Sequence, residues 1–278
     1  MVNNTKSLFS LANKTALLTG ASGFLGRGMA ESLLDAGTRL VALGRSDHLL
    51  EQAEQWRIRF GNQKVRTELI DMYDLPATET LLRQIAYEEE IGILVNNAHE
   101  LNATTGFNDD SGQLETAEFD GWMRNLTAGA YWPALTTRVL GVGMKSRGDG
   151  SIINISSMYA VVAPNPRLYE GTKFVNPPGY SASKAAMLAL TRYTAAFWGP
   201  FGIRANAIVA GPFSNTDESG PNAVSPEDPF LQRLYSRTCL GRTGRPEDLT
   251  GPLLFLASSA SNFVTGHALA VDGGWTIT

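Results

Sequence analysis

The sequence contains 278 residues, of which 43% are hydrophobic and 18% are charged. This balance excludes a disordered or low-complexity chain, and it is typical of a globular protein whose length suits one α/β domain over residues 1–278. Lys and Arg number 23 against 27 Asp and Glu, for a formal net charge of −4 without a dense basic cluster, so neither a nucleic acid nor an anionic membrane is expected as a partner.

The cysteine content and the amino-terminal segment narrow the class of protein further. Cys239 is the only cysteine, which excludes an intrachain disulfide and argues against a cysteine-ligated metal, so no metal site is predicted. Residues 1–13 lack the basic start and apolar core of a signal peptide, and no apolar run is long enough to span a bilayer. We therefore expect a cytoplasmic protein that acts on a small molecule.

Short apolar strands alternate along the chain with longer helical patterns, which indicates βαβ units around a parallel sheet. In chain order, the predicted strands cover residues 15–19, 40–43, 65–70, 91–95, 151–155, 205–209 and 268–271. The predicted helices cover residues 25–36, 47–60, 77–89, about 119–144, and a run from Tyr180 to about Trp198. The predicted fold class is α/β, with a single doubly wound, Rossmann-type parallel sheet flanked by helices.

Two segments rich in proline, glycine and small polar residues interrupt this alternation. Residues 161–179 are predicted to form an irregular insertion that contacts the substrate, and residues 212–236 a lid region. Loops of this length inside a compact domain are usually functional.

A glycine-rich loop, residues 20–26, lies between the first predicted strand and the first predicted helix. At such a turn, glycines let the backbone approach a pyrophosphate closely, and the amino terminus of the helix meets its negative charge. The loop therefore predicts a dinucleotide-binding catalytic domain. Its predicted contacts are Gly20, Ser22, Gly23, Leu25 and Gly26.

Two Tyr-x-x-x-Lys patterns are candidates for proton transfer: Tyr169/Lys173 and Tyr180/Lys184. Tyr180 and Lys184 begin an apolar helical run, so both side chains share one helix face. A cation beside a phenol lowers the pKa of the phenol, which makes Tyr180 a candidate general acid/base. Helix-breaking residues surround Tyr169, so we prefer the second pair, and Arg167, Tyr169 and Lys173 become either substrate contacts or plain surface residues.

An ordered set of motifs resembles the classical branch of the short-chain dehydrogenase/reductase (SDR) family over nearly the whole chain. The motifs are Thr19-Gly20, Asn96-Asn97-Ala98, Ser157, Tyr180/Lys184, Gly211-Pro212 and Val271-Asp272-Gly273-Gly274. The glycine loop departs from this branch because Phe24 stands at the middle glycine, and its spacing is that of the extended branch. The resemblance implies an NAD(P)(H)-dependent oxidoreductase that interconverts a secondary alcohol and a ketone. It also implies that Ser157 orients the substrate oxygen and Tyr180 transfers its proton, while Lys184 holds the nicotinamide ribose and lowers the pKa of Tyr180.

The residues after the second predicted strand bear on cofactor choice. Gly44 stands where NAD-selecting members of the family usually have Asp, and Arg45 can pair with a 2′-phosphate through charge-assisted hydrogen bonds. NADP(H) is therefore favoured, with NAD(H) as the alternative. By the same resemblance, the remaining cofactor contacts are Asp71 at the adenine, Asn97 and Ala98 on the adenosine side, Tyr180 and Lys184 at the nicotinamide ribose, and Gly211 and Phe213 near the carboxamide.

Two positions depart from the motifs of the family. His99 replaces the glycine that normally follows Asn97-Ala98, and it is either a substrate contact or a tolerated loop residue. Asn125 resembles the asparagine that completes the catalytic set in the family, but ungapped counting from Trp122 to Ser157 places Gly129 there. The fourth catalytic member is therefore either Asn125 or a water molecule.

The expected substrate is a small polar molecule, such as a sugar or sugar acid, because the insertion carries Arg167, Tyr169, Lys173 and Asn176 and resembles a loop found in sugar-active members of the family. An oxoacyl or other apolar ketone is the alternative if Trp132, Phe174 and Phe213 line the pocket. A catalytically silent dinucleotide-binding module is a second alternative, and the glycine spacing alone suggests an epimerase. Residues 264–275 resemble the segment that packs subunits together in tetrameric relatives, so a homotetramer is expected.

Overall fold

The computed structural model describes residues 5–172, 175–215, 225 and 227–278, and it contains a seven-stranded sheet in the order β3-β2-β1-β4-β5-β6-β7. The strands are β1 (Thr15–Thr19), β2 (Arg39–Gly44), β3 (Val65–Leu69), β4 (Ile91–Asn96), β5 (Gly150–Ser157), β6 (Ile203–Ala210) and β7 (Ala268–Val271). Each neighbouring pair runs parallel. The predicted Rossmann-type fold class is confirmed.

Helices connect the strands and cover the sheet. They are α1 (Thr5–Leu8), α2 (Phe24–Asp35), α3 (His48–Phe60), α4 (Leu75–Glu88), α5 (Phe119–Leu126), α6 (Trp132–Arg147), α7 (Pro178–Trp198), α8 (Pro229–Arg237) and α9 (Thr250–Ala257). The single helix predicted over residues 119–144 is in fact α5 and α6, joined by a π-helical segment, Thr127–Tyr131. None of the helices in the described ranges is long and apolar enough to cross a lipid bilayer.

The central strands are apolar on both sides because helices pack against both faces of the sheet. Leu17 and Leu18 are neighbours in β1, and both are fully buried. Leu18 belongs to the core that includes Leu33 of α2, whereas Leu17 belongs to the core that includes Leu82 of α4. This alternation explains why the strands read as continuous apolar runs.

The strand order reverses between β1 and β4, which are neighbours in the sheet but not in the chain. At such a point, the loops after adjacent strands diverge to opposite sides and leave a crevice at the carboxyl ends of the strands. The glycine loop follows β1, the segment from Asn97 follows β4, and Ser157 ends β5. The topology thus gathers these three segments at one edge of the sheet.

Helix α7 begins inside the segment predicted as an irregular insertion. Pro178 is its first residue, a position that proline tolerates because the missing N–H has no partner within the helix. Before α7, residues 161–172 contain a short 3-10 turn, Pro166–Leu168, and otherwise remain irregular. The predicted insertion is therefore shorter at its carboxyl end than expected.

Candidate active site

A cleft of about 570 Å³ opens at the carboxyl ends of the strands, across the point where the strand order reverses. All the residues predicted to bind a cofactor or to carry catalysis line this cleft: Gly20, Ser22, Gly23, Leu25, Gly26, Arg45, Asp71, Asn97, Ala98, Ser157, Tyr180, Lys184, Gly211 and Phe213. The fold therefore brings together residues that are far apart in the sequence.

The glycine loop forms a cradle that side chains would fill. Gly20 has a φ of +67°, and a Cβ there would lie 2.9 Å from the Cα of Ala98. A Cβ on Gly26 would lie 2.0 Å from the carbonyl oxygen of Gly20. Gly23 is the N-cap of α2 and offers no side-chain cap, so the first-turn N–H groups are available to an anion. The cradle thus fits the pyrophosphate of a dinucleotide.

The loops after β1 and β4 are joined by hydrogen bonds. Asn97 Nδ2 donates to the carbonyl oxygens of Thr19 and Gly20, each at 3.1 Å. In return, Thr19 Oγ1 accepts from the backbone N–H groups of Asn97 and Ala98, each at 3.0 Å. Asn97 therefore fixes the shape of the glycine loop in addition to lining the cleft.

One end of the cleft, which is predicted to receive the adenosine and is called the adenosine end below, contains Arg45 and Asp71. Asp71 Oδ1 accepts from the backbone N–H of Tyr73 at 3.1 Å, whereas Asp74 is the residue that caps α4. A Cβ on Gly44 would lie 3.1 Å from Leu49 Cδ2 and 3.3 Å from Ser22 Oγ, so a carboxylate side chain at this position would be crowded. Arg45, the residue that follows β2, therefore provides a charged side chain at this end of the cleft.

Ser157, Tyr180 and Lys184 lie together at the other end of the cleft. Ser157 is the last residue of β5, and its Oγ accepts from the backbone N–H of Tyr159 at 3.2 Å. Tyr180 is in the first turn of α7, and Lys184 lies one turn further along. Lys184 is buried, and its Nζ donates to the carbonyl oxygen of Ile155 at 2.8 Å. Ser156 Oγ donates instead to the backbone oxygen of Lys184 at 3.0 Å, so its hydroxyl hydrogen is already engaged in a hydrogen bond to α7.

Burial dominates the protonation of the tyrosine and the lysine. Desolvation raises the pKa of Tyr180, and the hydrogen bond with Ser157 acts in the opposite direction. Desolvation also lowers the pKa of Lys184 to about 7. In the cofactor-free protein, burial therefore outweighs any lowering of the Tyr180 pKa by Lys184, whose Nζ lies 5.6 Å from the centre of the Tyr180 ring, and the lowering stays a prediction.

Asn125 does not line the cleft. Its Nδ2 donates to the carbonyl oxygens of Thr105 and Gly121, at 2.8 and 2.9 Å. Gly129 has no room for a side chain, since a Cβ there would lie 2.6 Å from Ser183 Cβ. The amide of Asn125 reaches the cleft only through His99, whose Nε2 lies 3.4 Å from Asn125 Oδ1.

His99 is a site residue whose importance sequence reasoning underestimated. It lines the cleft, and its ring meets the Tyr180 ring edge-on with 4.9 Å between centroids. Phe107 contacts Tyr180 in the same manner at 5.1 Å. Burial and the charge of Lys184 lower the pKa of His99 to about 3, so the imidazole is neutral at physiological pH. The available signal was the replacement of the family glycine by a residue with a large polar ring.

The rival tyrosine, Tyr169, makes a different contact. Its hydroxyl hydrogen-bonds the hydroxyl of Tyr159 at 2.8 Å, and Tyr159 comes two residues after Ser157. Burial raises the pKa of Tyr169. The insertion therefore packs against the end of the strand that carries Ser157.

The other residues predicted to contact substrate are less well placed. Arg167 is exposed, and Asn176 Oδ1 accepts from Ser181 Oγ at 3.3 Å near the start of α7. Lys173 and Phe174 lie outside the described residues, as do residues 216–224 and 226 of the predicted lid region. Trp132 lines the cleft, where it packs with Met72 at the adenosine end.

Within the described ranges, no group of three or more His, Cys, Asp or Glu side chains could hold a metal ion. Cys239 is a free, exposed thiol.

Comparison with known proteins gives a consistent set of relatives. A family profile described as Enoyl-(Acyl carrier protein) reductase matches residues 20–276. A 2-dehydro-3-deoxy-D-gluconate 5-dehydrogenase of Bacillus subtilis (strain 168) is 32% identical over 267 residues, covering 96% of each chain. A gluconate 5-dehydrogenase of Gluconobacter oxydans (strain 621H) is 32% identical over 277 residues, covering 98% of each chain. A solved gluconate 5-dehydrogenase from Burkholderia cenocepacia J2315, in complex with NADP and tartrate, has a TM-score of 0.83 at 27% identity and covers 99% of this chain and 100% of that one.

Proposed function

Because the chain belongs to the short-chain dehydrogenase/reductase family, we propose that it interconverts a secondary alcohol of a sugar acid and the corresponding ketone, with NADP(H) preferred to NAD(H). Membership makes it an NAD(P)(H)-dependent oxidoreductase that interconverts a secondary alcohol and a ketone. The substrate class, the cofactor preference and the residue roles are the proposal. The main support for this proposal is that the glycine cradle, Arg45, Ser157, Tyr180 and Lys184 all line the same cleft.

The residue roles follow from the two ends of the cleft. The glycine cradle would hold the pyrophosphate, Arg45 the 2′-phosphate and Lys184 the nicotinamide ribose, and the remaining cofactor contacts would be Asp71, Asn97, Ala98, Gly211 and Phe213. When bound, the nicotinamide ring supplies or accepts the hydride. Tyr180 Oη donates a proton to the carbonyl oxygen in reduction and takes it from the hydroxyl in oxidation. Ser157 Oγ hydrogen-bonds the same oxygen and orients it.

Two observations support a polar, hydroxylated substrate. The curated relatives described above act on gluconate-type sugar acids according to their names. In addition, the cleft is lined by polar groups that can hydrogen-bond a hydroxylated substrate, namely the hydroxyl of Ser157 and the neutral imidazole of His99. We propose that the insertion, residues 161–179, contacts this polyhydroxy acid.

The substrate proposal predicts the outcome of a comparative screen. With NADPH or NADP⁺, we expect the highest kcat/KM for sugar acids and their keto forms, lower values for neutral polyols, and the lowest for oxoacyl thioesters and other apolar ketones. Initial rates followed by the absorbance of the reduced nicotinamide give this ranking. A higher kcat/KM for the oxoacyl compounds would assign the apolar-ketone alternative, and absence of turnover on every alcohol and ketone would favour a silent binding module.

The cofactor proposal predicts a selective loss in the Arg45→Ala variant. Charge-assisted hydrogen bonds to a phosphate disappear, so kcat/KM for NADPH is expected to fall by about 10- to 100-fold, while that for NADH changes little. The matched control is Arg138→Ala, which also removes an exposed arginine paired with a carboxylate, that of Glu79, outside the cleft. An equal loss with both cofactors, or none with NADPH, would contradict the role of Arg45.

The assembly stays a prediction. We propose a homotetramer in which residues 264–275 contact a neighbouring subunit, supported by the resemblance of this segment and by the fully exposed ring of Phe263 beside it. A monomeric mass in solution, by light scattering, would contradict this.

A further inference from the structure

A buried carboxylate lies beside the arginine that is predicted to bind the 2′-phosphate of the cofactor. Glu100 follows His99 after β4, and its side chain is only 5% exposed. Together with Arg45 and Ser46 it lines the adenosine end of the cleft. The motifs of the family gave no reason to single out this residue, yet a buried charge requires partners.

Glu100 is held between two arginines. Its Oε1 accepts from Arg45 Nη1 at 2.7 Å. Its Oε2 accepts from Arg124 Nε and Nη2, at 3.0 and 2.6 Å, and from Thr104 Oγ1 at 3.2 Å. The guanidinium of Arg124 also lies over the Tyr73 ring, 3.8 Å from its centroid. Both carboxylate oxygens are therefore engaged, and the arginines hold the pKa of Glu100 at about 2, so it is ionised at physiological pH.

The arrangement uses only part of the hydrogen-bonding capacity of Arg45. Its side chain is 57% exposed, and a guanidinium has five N–H donors, of which Glu100 engages one. The other donors remain available at the cleft. A phosphate bound to them would lie within one guanidinium width of the Glu100 carboxylate, where two negative charges repel each other appreciably even in a partly solvated site.

The net charge of the three side chains determines how strongly this end of the cleft attracts a phosphate. Arg45, Glu100 and Arg124 together carry a net charge of +1, whereas the two arginines alone would carry +2. The ribose of NAD(H) has a neutral hydroxyl where NADP(H) has a phosphate, so the carboxylate disfavours only the phosphorylated cofactor. Arg45 attracts the 2′-phosphate, and Glu100 offsets part of this attraction.

We propose that Glu100 is a specificity-determining residue that limits the preference for a 2′-phosphate and thereby keeps NAD(H) usable. This inference rests on the proposed role of Arg45 in NADP(H) binding. Arg124 acts as a positioning residue, because its Nε and Nη2 both donate to Glu100 Oε2 and its charge balances that of the carboxylate. The three side chains connect the loop after β2 to the loop after β4 and to α5.

The test measures the binding of small ligands that represent only the adenosine half of the cofactor. Isothermal titration calorimetry gives the Kd of adenosine 2′,5′-bisphosphate and of AMP, and their ratio reports selectivity for the 2′-phosphate without any turnover. In the Glu100→Gln variant the amide oxygen can still accept from Arg45, while the negative charge is gone. We expect the selectivity ratio to rise by about 5- to 10-fold.

A second variant changes the ratio in the opposite direction. Arg124→Met lowers the charge of the cluster from +1 to 0 and leaves Arg45 as the only arginine on Glu100, so the selectivity for the 2′-phosphate is expected to fall by about 5- to 10-fold. The matched control is Glu79→Gln, since Glu79 also accepts from two arginines, Arg83 and Arg138, but lies outside the cleft. Its ratio should equal that of the wild type.

The outcomes separate the inference from the proposal beneath it. A ratio that is unchanged or lower in a folded Glu100→Gln variant would overturn the role of Glu100, and if that variant does not fold, an unchanged or higher ratio in Arg124→Met would do the same. If the wild type binds both probes equally and Arg45→Ala has no effect on either, the proposed role of Arg45 is wrong and the inference falls with it. Circular dichroism and the Tm of each variant establish folding.

Discussion

Tyr180→Phe is expected to lower kcat by about 10²–10⁴-fold, the usual contribution of a general acid/base, while NADPH still binds. Phenylalanine keeps the ring that packs edge-on against His99 and Phe107, with centroids 4.9 and 5.1 Å away, so the fold around α7 should persist. Only the hydroxyl that is proposed to exchange a proton with the substrate is lost. Steady-state rates with the best sugar-acid substrate, together with NADPH binding followed by fluorescence, separate the two effects.

The control for this experiment is Tyr169→Phe. That change removes the hydrogen bond to Tyr159 but leaves Tyr180 and Lys184 unaltered, so we expect a modest change in KM and a small one in kcat. If Tyr169→Phe abolished turnover while Tyr180→Phe remained active, the rival tyrosine would be the proton donor, and the assignment would have to be reversed.

Lys184→Met should lower activity and stabilise the cofactor-free protein at the same time. Loss of the ammonium that is proposed to hold the nicotinamide ribose is expected to lower kcat/KM by about 10²–10³-fold. Stability rises because methionine fills the space of a lysine whose charge is disfavoured by burial. Initial rates and thermal unfolding of the cofactor-free protein measure the two effects.

The stability effect of Lys184 depends on pH with a definite sign. Its pKa is about 7 in the folded protein against an ordinary 10.5, so above about pH 7 the unfolded chain binds the proton more strongly than the folded chain does. The free energy of unfolding of the wild type should therefore rise between about pH 7 and pH 9, with this lysine contributing up to about 1.4 kcal/mol per pH unit. Lys184→Met should lack that contribution.

The control here is Lys64→Met, because Lys64 Nζ also donates to a backbone carbonyl, that of Gly37, but lies outside the cleft. It should leave kcat/KM and the pH dependence of stability as in the wild type. A Lys184→Met variant with a lower Tm and an unchanged pH dependence would contradict the account of a desolvated ammonium.

Much of the fold could be predicted because parallel strands buried on both faces leave a clear signal. The run Ile91–Asn96 is apolar almost throughout, and it forms a central strand next to β1. The placement of the glycine loop between a strand and a helix could also be predicted, because the chemistry of the loop depends on that local order. The cleft residues could be grouped before the structure was known because the carboxyl ends of parallel strands meet at one edge.

Other features depend on tertiary contacts that no local pattern encodes. The position of Arg45 at the cleft could be predicted because it follows β2, but its partner Glu100 is far away in the sequence and buried only once the sheet forms. The rise that burial causes in the pKa of Tyr180 could not be predicted, because spacing on a helix reports proximity to Lys184 and says nothing about desolvation. The π-helical segment Thr127–Tyr131 was missed because its residues fit an α-helix equally well.

The central claim is that this cleft transfers a hydride between a nicotinamide and a secondary alcohol, with Tyr180 moving the proton. It is tested most directly by mixing the purified protein with NADP⁺ and a gluconate-type sugar acid and recording the absorbance of the reduced nicotinamide over a single turnover. We predict that the wild type forms NADPH and that Tyr180→Phe, although it binds NADP⁺, does not. NADPH formation at the wild-type rate by Tyr180→Phe would contradict the account.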